Sequence, residues 1–388
     1  MNRMAQGASR GVLCWLLPLA AAAAADANVP TRKDGKGRIP LLGQRSPWYA
    51  TDDALRIAGN LLAWQRSSGG WPKNQDMTGT LGEKQLAALR KAKGRRDSTL
   101  DNGATHTQIR YLARVVTACL RRKRPAEEIR RVRDGALKGI DYLLAAQYPN
   151  GGWPQYWPEP GGYSRHITFN DGAMIGAMGV LRDVAGSKGD FAFVDEPRRR
   201  KARAAVRKGI ECILKCQIVV DGRPTAWCAQ HDHETLKPAK ARSYELPSIS
   251  GAESVGVVRF LMDIEKPDPN VVRAVQGAVA WFDRAKLTGI RQVTRKDPST
   301  PRGYDKVVVR DPSAPPMWGR FCRIGTNKPI FCSRDGIPRD SLAEISHERR
   351  TGYSWLGYYA AGLLARDYPA WQRKWAPDEN VLRRKRPR

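Results

Sequence analysis

The fold is decided by the stretch Leu143-Leu144-Ala145-Ala146-Gln147 and the Gly151-Gly152-Trp153-Pro154 that follows it, because this pattern occurs three times. Apolar residues at helical spacing lead into each Gln, and the glycines after it are a common helix stop. Each copy therefore predicts a helix that ends near its Gln. The other two copies are residues 61–65 with 69–72, and a less regular one at 213–217 with Asp221-Gly222 and Trp227.

A second helix follows each copy, and the start of this helix is repeated as well. An Asn, Asp or Ser stands directly before Gly-Ala in all three starts, at residues 101–105, 170–174 and 249–253. A side-chain oxygen at that position can cap the new helix. Three helix-loop-helix units predict a mainly α fold, a toroid of alternating inner and outer helices that continues through residues 272–285 and 352–368. The polar residues before Gly-Ala would then converge around one cleft.

Strand signals are few and lie late in the chain. The best are residues 306–310 and a hairpin over residues 320–331. In that hairpin Cys322 and Cys332 would face each other. An oxidising compartment would permit a disulfide between them, and two buried thiols are an equal alternative. The sequence has no Cys-x-x-Cys pair, which argues against zinc.

The N-terminal residues 1–25 have the features of a signal peptide: Arg3 and Arg10, an apolar stretch, and an Ala-x-Ala site before Asp26. The alternative is a disordered, alanine-rich start. We therefore expect an exported protein, secreted or periplasmic, with no membrane span. We also expect a linker over residues 26–44, one catalytic domain over 45–376 and a basic tail over 377–388.

The charge of the chain is strongly positive. Its 67 Lys and Arg against 38 Asp and Glu give a formal net charge of +29. Such an excess favours an acidic polymer as partner, although about half of it is explained equally well as solvated surface charge. No helix-turn-helix, finger or RNA-recognition signature is present, which argues against nucleic acid. We expect a monomer.

Beyond these repeats, the sequence resembles polysaccharide lyase family 10, the pectate lyases. The matching segments keep the family's order and are spread over most of the mature chain; they are residues 69–74, 99–107, 151–157, 168–178, 225–254 and 318–353. The resemblance implies an (α/α)₃ toroid. It also implies Ca²⁺-assisted β-elimination of polygalacturonate, an acidic polysaccharide, to unsaturated oligogalacturonates.

Three polar residues at the repeated helix starts are the candidate Ca²⁺ ligands. Asp101, Asn102 and Asp171 supply the hard oxygens that Ca²⁺ prefers. The resemblance implies acidic site residues at Asp101 and Asp171, which we interpret as the end of the site that holds Ca²⁺ and the substrate carboxylate. The alternative is that all three merely cap helices.

Arginines are the candidate base and the candidate substrate contacts. The resemblance implies that Arg242, in Ala241-Arg242-Ser243-Tyr244-Glu245, takes the C5 proton; the alternative is a clamp on a uronate carboxylate. Arg320 and Arg334 match basic positions of the family, and guanidinium groups suit carboxylates. Lys73 and Arg110 are weaker candidates for substrate binding, with packing or solvent exposure as an equal alternative.

Other polar and aromatic residues support more than one interpretation. The run His231-Asp232-His233-Glu234 suggests a metal site, but successive residues rarely converge on one ion, so we expect Asp232 and Glu245 to orient Arg242 and its loop. Four tryptophans could stack on sugar rings, but their repeated placement favours core packing or loop anchoring equally. They are Trp71, Trp153, Trp157 and Trp227.

Four rival functions remain open at this level. Gln followed by Gly-Gly-Trp also marks terpenoid cyclases, but the sequence has no Asp-rich acid or diphosphate motif. A glycoside hydrolase would need an acid and a base carboxylate around the bond, whereas the arginine-rich motifs favour elimination. The others are a lyase acting on another polyuronate and a non-catalytic pectin-binding protein.

Overall fold

Helices are the main regular secondary structure in the part of the chain that the computed structural model describes, which is residues 31, 33 and 39–383. The predicted signal peptide, most of the predicted linker and residues 384–388 of the predicted tail lie outside the described residues. The α-helices are α1 Asp52–Trp64, α2 Glu83–Lys91, α3 His106–Arg121, α4 Ala126–Ala145, α5 Ala173–Ala185, α6 Glu196–Cys216, α7 Glu253–Met262, α8 Pro269–Arg284, α9 His347–Gly352 and α10 Tyr368–Trp375, and a π-helical turn spans Leu363–Asp367.

The helices alternate between an inner and an outer layer, which confirms the predicted α/α toroid. The inner helices α3, α5 and α7 contact one another in sequence order, and the outer helices α1, α4, α6 and α8 do the same around them. The apolar core fills the space between the layers. The buried residues of helix α3 recur at a spacing that gives the helix two apolar faces. One face packs against α4, and the other packs against the inner layer.

The Gln and Trp of each repeat tie the outer helices together. Gln147 Nε2 donates to the carbonyl of Gly151 at 3.0 Å and to that of Ala205, on the next outer helix, at 2.8 Å. Trp153 is buried, and its indole N–H donates to the Leu143 carbonyl at 2.8 Å. The other two copies make equivalent bonds from their glutamines and tryptophans. The repeat is therefore a structural joint between successive helix pairs.

The strands form short antiparallel ribbons at one end of the helices. They are β1 Ile167–Thr168, β2 Val219–Val220, β3 Arg223–Pro224, β4 Gln230–His231, β5 Ile249–Ser250, β6 Ile290–Lys296, β7 Tyr304–Arg310, β8 Trp318–Gly319, β9 Phe321–Cys322, β10 Phe331–Cys332, β11 Pro338–Arg339 and β12 Leu356–Gly357. Strand β7 confirms the prediction for residues 306–310, and β6 pairs with it. Pairing of β5 with β9 places the C-terminal segment beside the start of α7.

The predicted facing of Cys322 and Cys332 is wrong. Cys322 lies opposite Pro329, because the chain already turns within residues 323–328, and Cys332 pairs instead with Pro338. All six cysteines in the described part of the chain are free and buried. The alternative of buried thiols is the one that the structure supports.

The first residues of the predicted tail lie against the folded core. Val381 and Leu382 pack on the helices, and the Gln372 amide donates to the Pro377 carbonyl at 3.1 Å. Within the described residues, no helix combines the length and the apolar character needed to cross a bilayer.

Candidate active site

Two tight turns carry the candidate Ca²⁺ ligands to one place. The 3₁₀ turns Asp101–Gly103 and Asn170–Gly172 stand directly before α3 and α5 and contact each other. Asn102 and Asp171 adopt left-handed backbone angles, with φ of 51° and 49°. Neither α3 nor α5 has a side-chain cap. The alternative that these residues merely cap the helices therefore has no support, since Asn102 Nδ2 donates to Asn74 Oδ1 and Asp171 Oδ2 accepts from the Asn170 amide instead.

The third helix start supplies a carboxylate that the sequence analysis did not select. Ser250 bonds the start of α7 from two residues before the N-cap Ala252, which itself provides no side-chain cap. Its Oγ accepts a hydrogen bond from the Glu253 backbone N–H at 3.2 Å and donates one to the Glu253 carboxylate. Glu253 follows Gly-Ala, whereas the acid precedes Gly-Ala in the other two copies. The third repeat therefore also has an acidic residue near its helix start, a few residues later than in the other two copies.

Three carboxylates and two cations meet at this end of the site. Lys73 forms a hydrogen-bonded ion pair with Asp101. Arg320, only 12% exposed, lies 2.6 Å from Glu253 and 3.5 Å from Asp171. The structure therefore brings together most of the predicted site residues here. The cluster keeps one net negative charge, so a divalent cation would be attracted to it.

The side chains of this cluster fit a hard cation. Asp101 Oδ1 is buried and has no hydrogen-bond partner within the described chain. The pKa of Asp171 is raised by burial, against the opposing charge of Arg320 and with further contributions from Asp101 and Glu253. A cation beside these oxygens would relieve both the missing contact and the crowding of negative charge.

The Tyr353 ring joins this acidic end to Arg242. The ring centroid lies 4.7 Å from Arg320 Cζ and 5.6 Å from Arg242 Cζ. The Tyr353 hydroxyl donates to Glu245 Oε1 at 2.7 Å. Arg242 and Arg320 of the carboxylate cluster therefore approach the same ring, that of Tyr353, a residue that the sequence motifs do not mark.

Glu245 fixes the orientation of Arg242, which confirms that part of the prediction. Arg242 Nε donates to Glu245 Oε2 at 2.8 Å, and Nη2 donates to Oε1. The hydrogen bond to Glu245 raises the pKa of Arg242 despite partial burial. Burial opposes ionisation of Glu245, but hydrogen bonds from Arg242 and Tyr353 outweigh it and lower the pKa of Glu245. Nη1 is the guanidinium nitrogen that these bonds leave for a substrate.

A basic group surrounds Tyr244 beside Arg242. The Cζ atoms of Arg242, Arg334 and Arg349 lie 5.0, 5.8 and 4.6 Å from the Tyr244 ring centroid. Arg334 is 64% exposed and lies 3.0 Å from Glu348. Hydrogen bonds from Arg349 and Arg334 lower the pKa of Glu348 to about 2. Arg334 thus lies at the rim of the cleft, and Arg349 is a neighbour that the sequence analysis did not select.

Arg110 lies apart from the other candidates. Its Nη1 donates to Asp183 at 2.7 Å, and its Cζ lies 6.0 Å from the Phe191 ring. Asp183 is in the last turn of α5, whereas the carboxylate cluster lies before the first turn. These contacts tie two inner helices together, so a substrate role for Arg110 has no support from its neighbours.

Trp71, Trp153 and Trp227 are fully buried, which favours loop anchoring over stacking on sugars. Trp157 is half-buried, with its ring 5.3 Å from that of Tyr142. His231 is a buried structural residue: its Nε2 accepts from the Cys228 N–H at 3.0 Å, and its Nδ1 lies 2.8 Å from the Leu236 carbonyl. Burial lowers the pKa of His231 to about 4, so the ring is neutral.

Comparison with known proteins places this geometry in context. The family model for pectic acid lyase matches residues 65–364. The structure resembles a family 10 polysaccharide lyase from Cellvibrio cellulosa, with a TM-score of 0.69 and 35% identity over 83% of this chain and 92% of that chain. A mutant family 10 polysaccharide lyase from Cellvibrio cellulosa, in complex with trigalacturonic acid, matches with a TM-score of 0.68 and 34% identity over 87% of this chain and 99% of that chain. No curated protein matches the sequence.

Proposed function

The chain belongs to the pectic acid lyase family, the family 10 polysaccharide lyases, and we propose that it cleaves polygalacturonate by Ca²⁺-assisted β-elimination with Arg242 as the base. One observation carries the proposal. The Tyr353 ring lies between Arg320, which belongs to the carboxylate cluster, and Arg242, at 4.7 and 5.6 Å. The candidate cation site, through Arg320, and the positioned guanidinium of Arg242 thus approach the same aromatic ring.

The chemistry explains why the two ends must be close. In a galacturonate residue, C5 carries a proton next to the carboxylate, and C4 carries the glycosidic oxygen. The proton is very weakly acidic while that carboxylate keeps its full charge, so the site must neutralise the charge and stabilise the developing enolate. Removal of the proton forms the C4–C5 double bond and expels the oxygen, so the chain is cut without water entering the product.

Asp101, Asn102 and Asp171 would hold the Ca²⁺, and Glu253 adds negative charge beside them. When bound, Ca²⁺ supplies Lewis-acid charge to the substrate carboxylate. Lys73 and Arg320 limit the repulsion among the three protein carboxylates, since each contacts at least one of them. The site therefore keeps ionised oxygens available without accumulating a large negative charge.

Arg242 would receive the C5 proton on Nη1 in its neutral guanidine form. Glu245 holds the other side of the fork, which positions Nη1, but it also raises the pKa of Arg242. The neutral form is therefore a minor fraction near neutral pH, and elimination should be fastest in alkaline solution. The departing sugar oxygen takes a proton from water, and the hydroxide so formed takes the C5 proton from Arg242, whose side chain is 42% exposed to solvent.

Arg334 extends the positive surface beside Arg242, since the guanidinium groups of both lie near the Tyr244 ring. Arg349 lies near the same ring but is buried, where it pairs with Glu348. Neighbouring uronates carry one carboxylate each, and planar guanidinium groups bind carboxylates well. We propose that Arg334 binds a flanking sugar, and that the protein acts as an exported monomer.

The proposal is tested by following the ultraviolet absorbance of unsaturated uronate with polygalacturonate as substrate. We expect the absorbance to rise with Ca²⁺, to stop after chelation and to return when Ca²⁺, but not Mg²⁺, is restored. New reducing ends without that absorbance would indicate hydrolysis. A panel containing alginate tests the alternative of another polyuronate.

A further inference from the structure

A second cluster of possible metal ligands lies on the ribbon that leads to Asp171. Strands β1 and β4 pair with Ile167 opposite His231, so that His166 comes opposite Asp232 at the end of the ribbon. His233 follows Asp232 directly. His231 itself is occupied by two backbone contacts, so the ligand group contains His166 from the other strand in place of His231.

The atoms of this cluster converge without bonding one another. Asp232 Oδ2 lies 3.8 Å from His166 Nδ1 and 3.9 Å from His233 Nδ1, too far for hydrogen bonds. The ligand atoms all lie within 4.8 Å of one another. Both Nδ1 atoms are buried and lack a hydrogen-bond partner within the described chain. Two buried nitrogens without a hydrogen-bond partner beside one carboxylate oxygen form a group that suits a metal such as zinc, which binds nitrogen and oxygen at about 2.0–2.2 Å.

The surrounding residues hold these ligands in place. Asp232 Oδ1 accepts hydrogen bonds from the Thr235 N–H at 2.8 Å and the Thr235 hydroxyl at 2.9 Å, which turns Oδ2 toward the histidines. The Asn150 amide donates to the His233 carbonyl at 2.6 Å. Glu234 Oε1 lies 3.8 Å from His233 Nε2, which places a carboxylate near the far nitrogen of a metal-binding imidazole.

We propose that His166, Asp232 and His233 bind one Zn²⁺, with water completing the coordination. Two imidazole nitrogens and one carboxylate favour zinc or cobalt over Ca²⁺, which prefers oxygen ligands alone. Burial lowers the pKa of His166, so its ring is in the neutral form that binds metals. The zinc would fasten β1 to the loop after β4. Asn170 and Asp171 follow β1 closely, so this site steadies the turn that carries the candidate Ca²⁺ ligand.

The test is a Co²⁺ titration of the chelator-treated protein, followed by visible absorption and by Zn²⁺ competition. We expect one equivalent of Co²⁺ to bind and to be displaced by Zn²⁺. His233→Asn should weaken binding by at least about 100-fold, since loss of a ligand exceeds the effect of losing an outer partner. His347→Asn removes a histidine whose ring contacts the Tyr304 carbonyl at 2.8 Å, and it should bind as the unchanged protein does.

Two further measurements separate this site from the cleft and from misfolding. Asp171→Asn should keep the Co²⁺ spectrum, because its carboxylate belongs to the other cluster. Zn²⁺ should raise Tm of the unchanged protein and leave that of Asp232→Asn unaltered. Absence of a Co²⁺ spectrum in the unchanged protein, or equal binding by a folded His233→Asn variant, would overturn the proposal. Neither result depends on whether the protein cleaves polygalacturonate.

Discussion

Replacement of Arg242 by Lys should remove the elimination activity while leaving the fold nearly as stable as before. Glu245 is only 3% exposed and accepts from two nitrogens of the guanidinium, which leaves Nη1 for the substrate. Lysine has a single nitrogen, and the buried carboxylate will take it. The Arg242→Lys variant keeps the positive charge at this position, but it has no second nitrogen that could accept the C5 proton.

The magnitudes separate this explanation from a simple need for positive charge. Loss of a positioned base should lower kcat by about 10²- to 10⁴-fold in both Arg242→Lys and Arg242→Ala. Arg242→Ala also leaves Glu245 without its ion-pair partner. Tyr353 still donates to Glu245, so we expect a further loss of stability of about 2 kcal/mol rather than the full cost of an uncompensated charge.

The assay combines initial rates from ultraviolet absorbance over a range of substrate concentrations with thermal unfolding of each variant. We expect equal loss of kcat in the two variants and a lower Tm only in Arg242→Ala. If Arg242→Lys kept a substantial fraction of kcat and only KM rose, Arg242 would be a substrate clamp. The base would then have to be sought elsewhere.

Three other perturbations follow from the same geometry. Asp171→Asn should lower kcat at least about 10²-fold, because a ligand of the metal is lost. Tm should change little, because Asp171 caps no helix. Near-normal rates measured with excess Ca²⁺ would contradict its role as a ligand. Arg320→Gln should move the acid limb of kcat/KM to higher pH, because the charge of Arg320 opposes the rise in the pKa of Asp171 that burial causes. The exposed control Arg334→Gln should change KM alone. An acid limb at the same pH in Arg320→Gln and the unchanged protein would refute this. In the unchanged protein, kcat/KM should rise about tenfold per pH unit toward alkaline pH, and a plateau near neutral pH would exclude Arg242 as base.

The helical architecture was readable from the sequence because it depends on local spacing. A Gln at the end of a helix, a glycine turn and a Trp recur at the three joints, and each has the same contacts in the structure. Strand β7 was also predictable from its run of valines. Strand β6 was not, since polar residues dominate its sequence, Ile290–Lys296.

Positions that depend on register or backbone angle were not readable. The spacing of Cys322 and Cys332 is compatible with several hairpin registers, and the observed turn within residues 323–328 places Cys322 opposite Pro329. Asn102 and Asp171 were possible caps, but both adopt positive φ values and bond other side chains instead. The sequence pattern predicts neither the register of the hairpin nor these backbone angles.

Site residues that stand in a local sequence motif could be predicted. Residues that belong to the site only through contacts between distant segments could not. Arg242, Asp101 and Asp171 were selected from motifs, and in the structure Tyr353 and Arg320 connect Arg242 to Asp171. Tyr353 contacts Arg320 and Arg242 across long sequence separations, so no local pattern marks it. Glu253 was present in the third repeat but displaced from the position of its counterparts.

The central claim, that the chain is cut by elimination rather than hydrolysis, is tested most directly by mass spectrometry of the products formed in water labelled with heavy oxygen. We predict that each cut yields an unsaturated fragment lighter by one water than the hydrolysis product, and that the sugars gain no labelled oxygen through cleavage. Because sugar reducing ends exchange oxygen slowly with water, the products are reduced immediately after the reaction. Incorporation of one labelled oxygen per cut, with saturated products, would contradict the account.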